Sequence, residues 1–295
     1  MSTPAPCIVA ALYQFRDVAD PAALRGALLD LGRAHDLCGT LIVAPEGLNG
    51  TVAGTREGID ALRAFLHGEG FTALEDKESA AAVRPFRRFK VRVKAEIVTL
   101  GVPVAPRERV GTYVRPAEWN ALLDDPDVVV IDTRNRYEVQ AGTFRGAVSP
   151  GIDSFREFPE WLDGHAAALA GKRVAMYCTG GIRCEKSTSL LLERGFTDVL
   201  HLQGGILRYL EDVPEADSRW DGECFVFDGR VTVGHGLTQG GAVMCHSCGW
   251  PLDAGDRQHP QYEEGVSCAH CAGHTTSAQK AAFRERQRQF GAGRL

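Results

Sequence analysis

Hydrophobic and polar positions alternate between two periods along the first hundred residues. "CIVAALYQF" (7–15) and "CGTLIVA" (38–44) are short apolar runs bounded by polar or glycine-bearing stretches, the pattern of half-buried strands. "DPAALRGALLDLGRAHD" repeats apolar positions at helical spacing, with Asp20 as N-cap and Pro21 at the first helical position. "TREGIDALRAFLHG" is a second helix, capped by Thr55 and closed by Gly68. "TVAG", "FTALEDKES" and "FKVRVKAEIV" supply further extended segments. The order β-α-β-β-α-β predicts a ferredoxin-like α+β sandwich over residues 1–100.

After a proline-bearing linker, "GVPVAPRERVG" (101–111), the pattern changes. "VVVIDTR" and "KRVAMYC" are continuously apolar, as expected of parallel strands buried on both faces. Helical stretches alternate with them: "PAEWNALLDD", "DSFREFPEWLDGHAAALAG" and "CEKSTSLLLERGF", with "DVLHLQGG" as a third strand. Residues 112–220 therefore read as an α/β domain with a mostly parallel sheet. Ligands on such sheets bind beyond the carboxyl ends of the strands, and Cys178 sits at one. Residues 221–295 carry little periodicity and many Gly, His and Cys, and end in a basic stretch containing Lys280, Arg284, Arg286, Arg288 and Arg294. That stretch reads as a basic helix or a disordered tail.

Composition narrows the class. The 295 residues are 44% apolar and 24% charged, with a net charge of −5, so whole-chain charge does not point to nucleic acid. No apolar run approaches a membrane span, and "MSTPAPC" lacks the basic and apolar regions of an export signal. A cytoplasmic, reducing setting is the expectation. Nine cysteines, an odd number, argue against a closed disulfide framework.

Two cysteine groups carry the candidate chemistry. "YCTGGIRCEKS" (177–187) joins a strand to a helix. A thiol becomes nucleophilic only when ionised, and such a loop favours the thiolate. The N–H groups of Thr179, Gly180, Gly181 and Ile182 turn inward as an anion cradle, the helix adds its positive end, and Arg183 adds a fixed charge. Gly180 and Gly181 are expected to permit the curl through positive φ. Cys178 heads the cradle and is the nucleophile of choice, while Cys184 is either a resolving thiol or a helix-capping residue. Cysteine phosphatases need Cys-x5-Arg, whereas this loop has Cys-x4-Arg, which leaves a persulfide as the fitting use. Asp132, at the end of another strand, is expected to hydrogen-bond loop backbone in a supporting role.

"CHSC" and "CAHC" form C-x2-C-x19-C-x2-C from Cys245, Cys248, Cys268 and Cys271. This spacing suits a structural zinc ribbon with no open coordination position. His246 and His270 are expected to point away, with His259 and His274 as substitutes for a missing thiolate. In "CFVFDGRVTVGHGL" (224–237) alternation predicts a hairpin turned at "DGR", its aromatics serving the core more often than RNA. "RPFRRFKVRVK" (84–94) gathers Arg87, Arg88, Lys90 and Arg92 with Phe86 and Phe89 interleaved. It is either a nucleic-acid contact or a solvated strand face. No flavin or nicotinamide fingerprint is present.

"VVVIDTRNRYEVQAGTFRGAVSPGI" followed by "KRVAMYCTGGIRCEKS" resembles a rhodanese domain, with Asp132, Arg134 and Glu138 matching D-x-R-x-x-x-E. In "GTFRGA", Thr143 and Phe144 replace the usual His and Ile. "APEGLNGTVAG", "LQGGILRYLE", "CFVFDGRVTVGHGL" and the paired cysteines extend the likeness over nearly the whole chain. Together they resemble the bacterial tRNA uridine-34 hydroxylases that contain a central rhodanese domain. That resemblance implies oxygen-dependent formation of 5-hydroxyuridine at the wobble position, with molecular oxygen as co-substrate, tRNA as partner, and the family's persulfide-type cysteine at Cys178. The cysteine loop read by itself points instead to a sulfurtransferase that passes persulfide sulfur to an acceptor such as tRNA. A non-catalytic, zinc-bearing RNA adaptor is the third class. Either enzyme needs an electron or sulfur donor whose identity the residues do not specify.

Overall fold

The computed structural model describes residues 7–291; Arg294 of the basic stretch lies outside them. The first sheet has five strands in the order β4-β1-β3-β2-β5. They are β1 (Cys7–Phe15), β2 (Cys38–Ala44), β3 (Gly47–Gly54), β4 (Glu75–Ala81) and β5 (Phe89–Val93). Helices α1 (Pro21–Ala34) and α2 (Arg56–Gly68) follow β1 and β3. Asp20 accepts from the N–H groups of Ala22 and Ala23, and Thr55 from that of Gly58, so both expected caps are present. The first four strands give the split βαβ order, and β5 adds a parallel edge beside β2.

Strand alternation sends two sets of side chains to two faces. Ala10, Leu12, Leu41, Val43, Leu48 and Val52 pack with Leu28, Ile59 and Leu62 of the helices in one core. The opposite face, bearing Val9, Ala11, Tyr13, Thr40, Ile42 and Thr51, is free of α1 and α2 and lines a cavity shared with the rest of the chain.

The second sheet is parallel, in the order β6-β10-β9-β7. Its strands are β6 (Thr112–Val114), β7 (Val128–Asp132), β9 (Arg173–Tyr177) and β10 (Val199–Leu202), connected through α3 (Pro116–Leu123), α4 (Arg136–Ala141), α5 (Phe158–Leu169) and α6 (Ile182–Glu193). The short β8 (Gly142–Phe144) pairs with β11 (Trp220–Gly222), and α7 (Gly205–Asp212) follows β10. One core, around Trp119, Phe144, Tyr177 and Tyr209, covers one side of the sheet; another, around Ile131, Phe158, Leu162 and Met176, covers the other. Leu100 lies in this second core, with Val102 and Val104 packed against it, so the linker stretch is laid onto the second sheet.

The remainder consists of small elements. Strands β12 (Cys224–Phe225) and β13 (Thr232–Val233) form the expected hairpin, and β14 (Val243–Met244) and β15 (Pro251–Leu252) frame the cysteine cluster. The basic stretch folds as α8 (Ser277–Gly291). Its cations serve the lobe beneath: Arg284 is paired with Glu263, and Arg286 donates to the carbonyls of His246 and Gly265. Among the described residues, no helix is long and apolar enough to cross a membrane.

Candidate active site

Strand β9 ends at Tyr177, and the chain curls through Cys178, Thr179, Gly180 and Gly181 into α6. Gly181 occupies the N-cap position at φ 102°, where a side chain would be strained and would meet the Tyr13 hydroxyl at 3.0 Å. Gly180 is different. It has no positive φ and open space where a Cβ would be, so the curl depends on one glycine rather than two. A second pair of glycines fixes the loop from outside. Gly204 and Gly205 open α7 at positive φ, and a Cβ on Gly205 would sit 2.5 Å from the Cys178 carbonyl oxygen. That close approach lets the N–H groups of Ile206 and Leu207 donate to the carbonyls of Cys178 and Thr179, both at 3.0 Å.

The Cys178 side chain is 1% exposed. Gly181 N–H donates to its sulfur at 3.1 Å. Burial opposes ionisation, but the Cys184 thiol, the Arg183 charge and the backbone N–H groups of Cys184 and Arg183 outweigh it and hold the thiol down at about 6. The same burial, with Cys178 alongside, pushes the Cys184 thiol well above the ordinary range. The two neighbouring thiols are thus driven in opposite directions, Cys178 toward the thiolate and Cys184 toward the neutral thiol.

Arg183 does not act alone. Its guanidinium donates to both carboxylate oxygens of Glu138, at 2.6 and 2.8 Å. Glu138 also accepts from the Thr179 hydroxyl at 3.2 Å and the Asn135 N–H at 3.1 Å. Burial works against the Glu138 anion, but Arg183 and the other donors hold its carboxyl below the usual range. Asp132 bonds Arg134: it accepts from the Arg134 N–H at 3.0 Å and pairs with its guanidinium at 2.6 and 2.9 Å. Arg134 in turn donates to the carbonyls of Glu138 and Gly142. Asp132 therefore bonds the backbone of the loop that follows its own strand, at Arg134, and braces α4 through that residue's guanidinium. The D-x-R-x-x-x-E pattern is a buried chain of ion pairs that ends on the loop.

Helix α6 is polar in sequence yet buried from Arg183 to Leu191, because the first sheet covers it. Tyr13 donates to Glu185 at 2.8 Å, and Lys186 reaches Glu46 and Glu96, each at 2.7 Å. Ile182 packs in a cluster with Tyr13, Phe15 and Ile97. Burial raises the Glu185 carboxyl to about 7, against the hydrogen bonds of Tyr13 and Tyr113. "CEK" is thus the joint between the two sheets, a role that no local pattern announces.

A cavity of about 530 Å³ lies between the face of the first sheet opposite α1 and α2, the cysteine loop and the β12–β13 hairpin. Cys178, Thr179, Gly180, Ile182 and Arg183 line it from below. Lys77 and Lys94 line it from the first sheet, and Phe227 and Arg230 from the hairpin. The size is within the range of small-molecule sites, and its walls come from all three parts of the chain.

The basic stretch is divided by strand geometry. Arg87, Arg88, Lys90 and Arg92 are exposed, while Phe86 and Phe89 pack against the two sides of the first sheet. Phe89 is therefore an anchor of the helix-bearing side, while Phe86 also lines the cavity. Lys90 pairs in register with Thr40, and Arg92 with Ile42, so both point to the cavity-bearing face.

The sulfurs of Cys245, Cys248, Cys268 and Cys271 lie within 4.8 Å of one another, a cluster that could hold a metal ion. Three of the separations are 3.7, 3.8 and 4.0 Å. A tetrahedron with metal–sulfur bonds of about 2.3 Å has edges of about 3.8 Å, so the donor set fits such an ion. His270 stacks on Trp250 at 4.2 Å, as expected of a histidine that points away from the cluster. Trp250 donates to Gln140 of α4 at 3.1 Å, which docks this lobe on the helix carrying Glu138.

No local pattern in the sequence assigns a chemical role to Glu138, Lys186 or Gly205. Glu138 was visible only as a motif position, and the glycine pair of "LQGG" was the one local signal for the approach at Gly205.

Comparison with known proteins agrees with this layout. Residues 7–97 match the family described as UPF0176 acylphosphatase like domain, and residues 115–212 match the Rhodanese-like domain. The chain is 70% identical to the tRNA uridine(34) hydroxylase of Deinococcus radiodurans over 99% of its length and 97% of that protein. It is 57% identical to the protein of that name from Acinetobacter baumannii, covering 97% of this chain and 91% of that one. For the Roseobacter denitrificans protein, the figures are 54%, 96% and 96%. With identity at this level across both domains and the cysteine lobe, the chain belongs to the tRNA uridine(34) hydroxylase family.

Proposed function

We propose that this protein hydroxylates uridine 34 of tRNA to 5-hydroxyuridine, with molecular oxygen as co-substrate and Cys178 as the reacting group. One observation carries the reading to this chain's own residues: a thiol that accepts from the Gly181 N–H beside Arg183, an arrangement that favours the thiolate, at the foot of a cavity suited to a single nucleotide. The name borne by relatives that match end to end supplies the reaction. The N–H groups of Gly181, Arg183 and Cys184 form the cradle around the sulfur, Thr179, Gly180 and Ile182 line the cavity beside it, Arg183 adds charge, and Cys184 tunes Cys178 as its neighbour. Asp132 supports the site through Arg134. One atom of oxygen enters the C5–H bond of uracil; the other leaves as water and requires a two-electron reductant from outside the chain.

Uridine 34 lies in a single-stranded loop, so bringing its base into a cavity costs little unpairing. The open sheet face supplies the approach, with Lys90 and Arg92 on that face and Arg87 and Arg88 beside it as phosphate contacts. Zinc is the ion that suits Cys245, Cys248, Cys268 and Cys271, and four thiolates leave it a structural role. Three units, 1–100, 112–220 and 221–295, share the work as roof, catalytic base and flank. On this reading the protein works in the cytoplasm, where tRNA is its substrate.

The test is nucleoside mass spectrometry on unmodified tRNA incubated with protein and reductant in air, without oxygen, and with Cys178→Ser. Gain of one oxygen on uridine only in the aerobic wild-type sample is expected. Sulfur replacing oxygen when a donor is present would assign a sulfurtransferase instead. Equal hydroxylation by Cys178→Ser would remove Cys178 from the reaction.

A further inference from the structure

Phe227 is 56% exposed, although its neighbours Val226 and Asp228 are buried. A single exposed ring is ordinary on a protein surface, but this one lines the cavity that holds Cys178 and sits on an ordered segment. The segment is ordered. Asp228 and Arg230 form a buried pair at 2.6 and 2.9 Å, and Arg230 also donates to the Ser79 hydroxyl of β4 at 2.7 Å. Gly229 N–H donates to the Pro85 carbonyl at 2.9 Å, an approach that leaves no room for a Cβ. Val231 sits at φ 66°, a conformation that a β-branched residue adopts only under constraint. The hairpin tip is thus clasped to the first sheet from both sides, and the clasp presents Phe227 to the cavity that holds Cys178. The Phe225 ring meets Phe227 at right angles at 5.2 Å, and the Arg183 guanidinium lies 6.0 Å from its centre.

We propose that Phe227 is the stacking platform for the target pyrimidine, holding the base of nucleotide 34 beside the Cys178 loop. This rests on the tRNA reading above and assigns a binding residue within it. An aromatic face attracts any base and reads no hydrogen-bonding edge, so Phe227 holds the base rather than selecting uracil. The rigid clasp fixes the ring before RNA arrives, so little ordering cost attends binding.

The experiment measures binding of the full-length protein without oxygen. The probes are an anticodon stem-loop with uridine at position 34 and the same RNA with an abasic position 34. Phe227→Ala is expected to weaken the uridine stem-loop about 10-fold or more and to leave the abasic stem-loop unchanged. Phe227→Trp is expected to restore the difference, which separates lost stacking from a damaged hairpin. Unaltered binding of the uridine stem-loop by Phe227→Ala, or equal losses on both RNAs, would overturn the assignment. If wild-type protein binds neither RNA, the tRNA reading itself fails and this assignment with it; that failure shows in the wild type and not in the variant.

Discussion

Glu138 and Arg183, far apart in sequence, meet fork to fork at 2.6 and 2.8 Å beneath the Cys178 loop. A buried pair of this kind fixes geometry more reliably than it adds stability, but breaking one side leaves the other charge stranded. Glu138→Gln removes the anion while keeping the shape. We expect it to destabilise the fold by about 3 kcal/mol, read by urea unfolding. A variant as stable as wild type would show that the pair does not brace the loop.

The Cys178 thiol, held at about 6 against an ordinary 9.0, gives a direct kinetic signature. Alkylation by iodoacetamide should follow a titration centred near pH 6, with Cys178→Ser as the blank. Stability follows by linkage. Because the folded-state value is depressed, ionised Cys178 contributes stability that is fully present above pH 9 and is lost as pH falls through 6. The wild type should therefore lose its stability advantage over Cys178→Ser across that window. An alkylation midpoint above pH 8 would contradict the cradle.

The local elements were legible because their causes are local. Asp20 and Pro21 start a helix with groups only a few residues away, and the run Val128–Ile131 declares a buried strand. Cys178 was legible for the same reason, since glycine, thiol and arginine lie within one loop. The partners of that loop were not. Glu138 reaches it from α4, on the far side of the same domain's chain, and Tyr13, Glu46 and Glu96 reach the helix that follows it only once the first sheet is in place. Gly180 shows the opposite error. A glycine read as a necessity of the turn turns out to have room for a side chain, because the positive φ of the turn falls on Gly181 alone. Phe227 sits in an alternating strand pattern that assigned it to the core. A hairpin clasp from another part of the chain turned it outward.

Glu185 gives the joint between the sheets a dependence on pH. Burial raises its carboxyl to about 7. A raised folded-state value means that its contribution is fully present below the unfolded value near 4.5 and is lost as pH rises through 7. Glu185→Gln keeps an acceptor for Tyr13 and removes the charge. We expect the variant to be more stable than wild type at pH 8, by about 2 kcal/mol, and to match it near pH 4.5. The same gap at both pH values would show that Glu185 does not titrate in this window.

Removing the metal should be felt on α4. The cysteine lobe grips that helix through Trp250 and Gln140, and Tyr137 lies 6.3 Å from the Trp250 ring. We expect one zinc ion per chain by plasma emission, and loss of it in Cys268→Ser. Stripping the ion with a chelator should speed amide exchange in the lobe first and in α4 next. Exchange confined to the lobe would show that the two are not mechanically joined.

The last expectation concerns the basic edge. Lys90 and Arg92 share the cavity-bearing face, and neither is needed to hold β5, which packs through Phe89 and Val91. Lys90→Glu with Arg92→Glu should therefore leave unfolding within about 0.5 kcal/mol of wild type. Their effect should appear in tRNA binding and grow as salt is lowered. Each phosphate contact contributes about 0.7 to 0.9 to the slope of log affinity against log salt. Losing two should flatten that slope by about 1.5. Affinity that drops without a change in slope would mean a distorted surface, and no drop would place the RNA backbone elsewhere. A flattened slope with intact oxygen transfer to a short anticodon stem-loop would separate the approach of the RNA from the chemistry at Cys178.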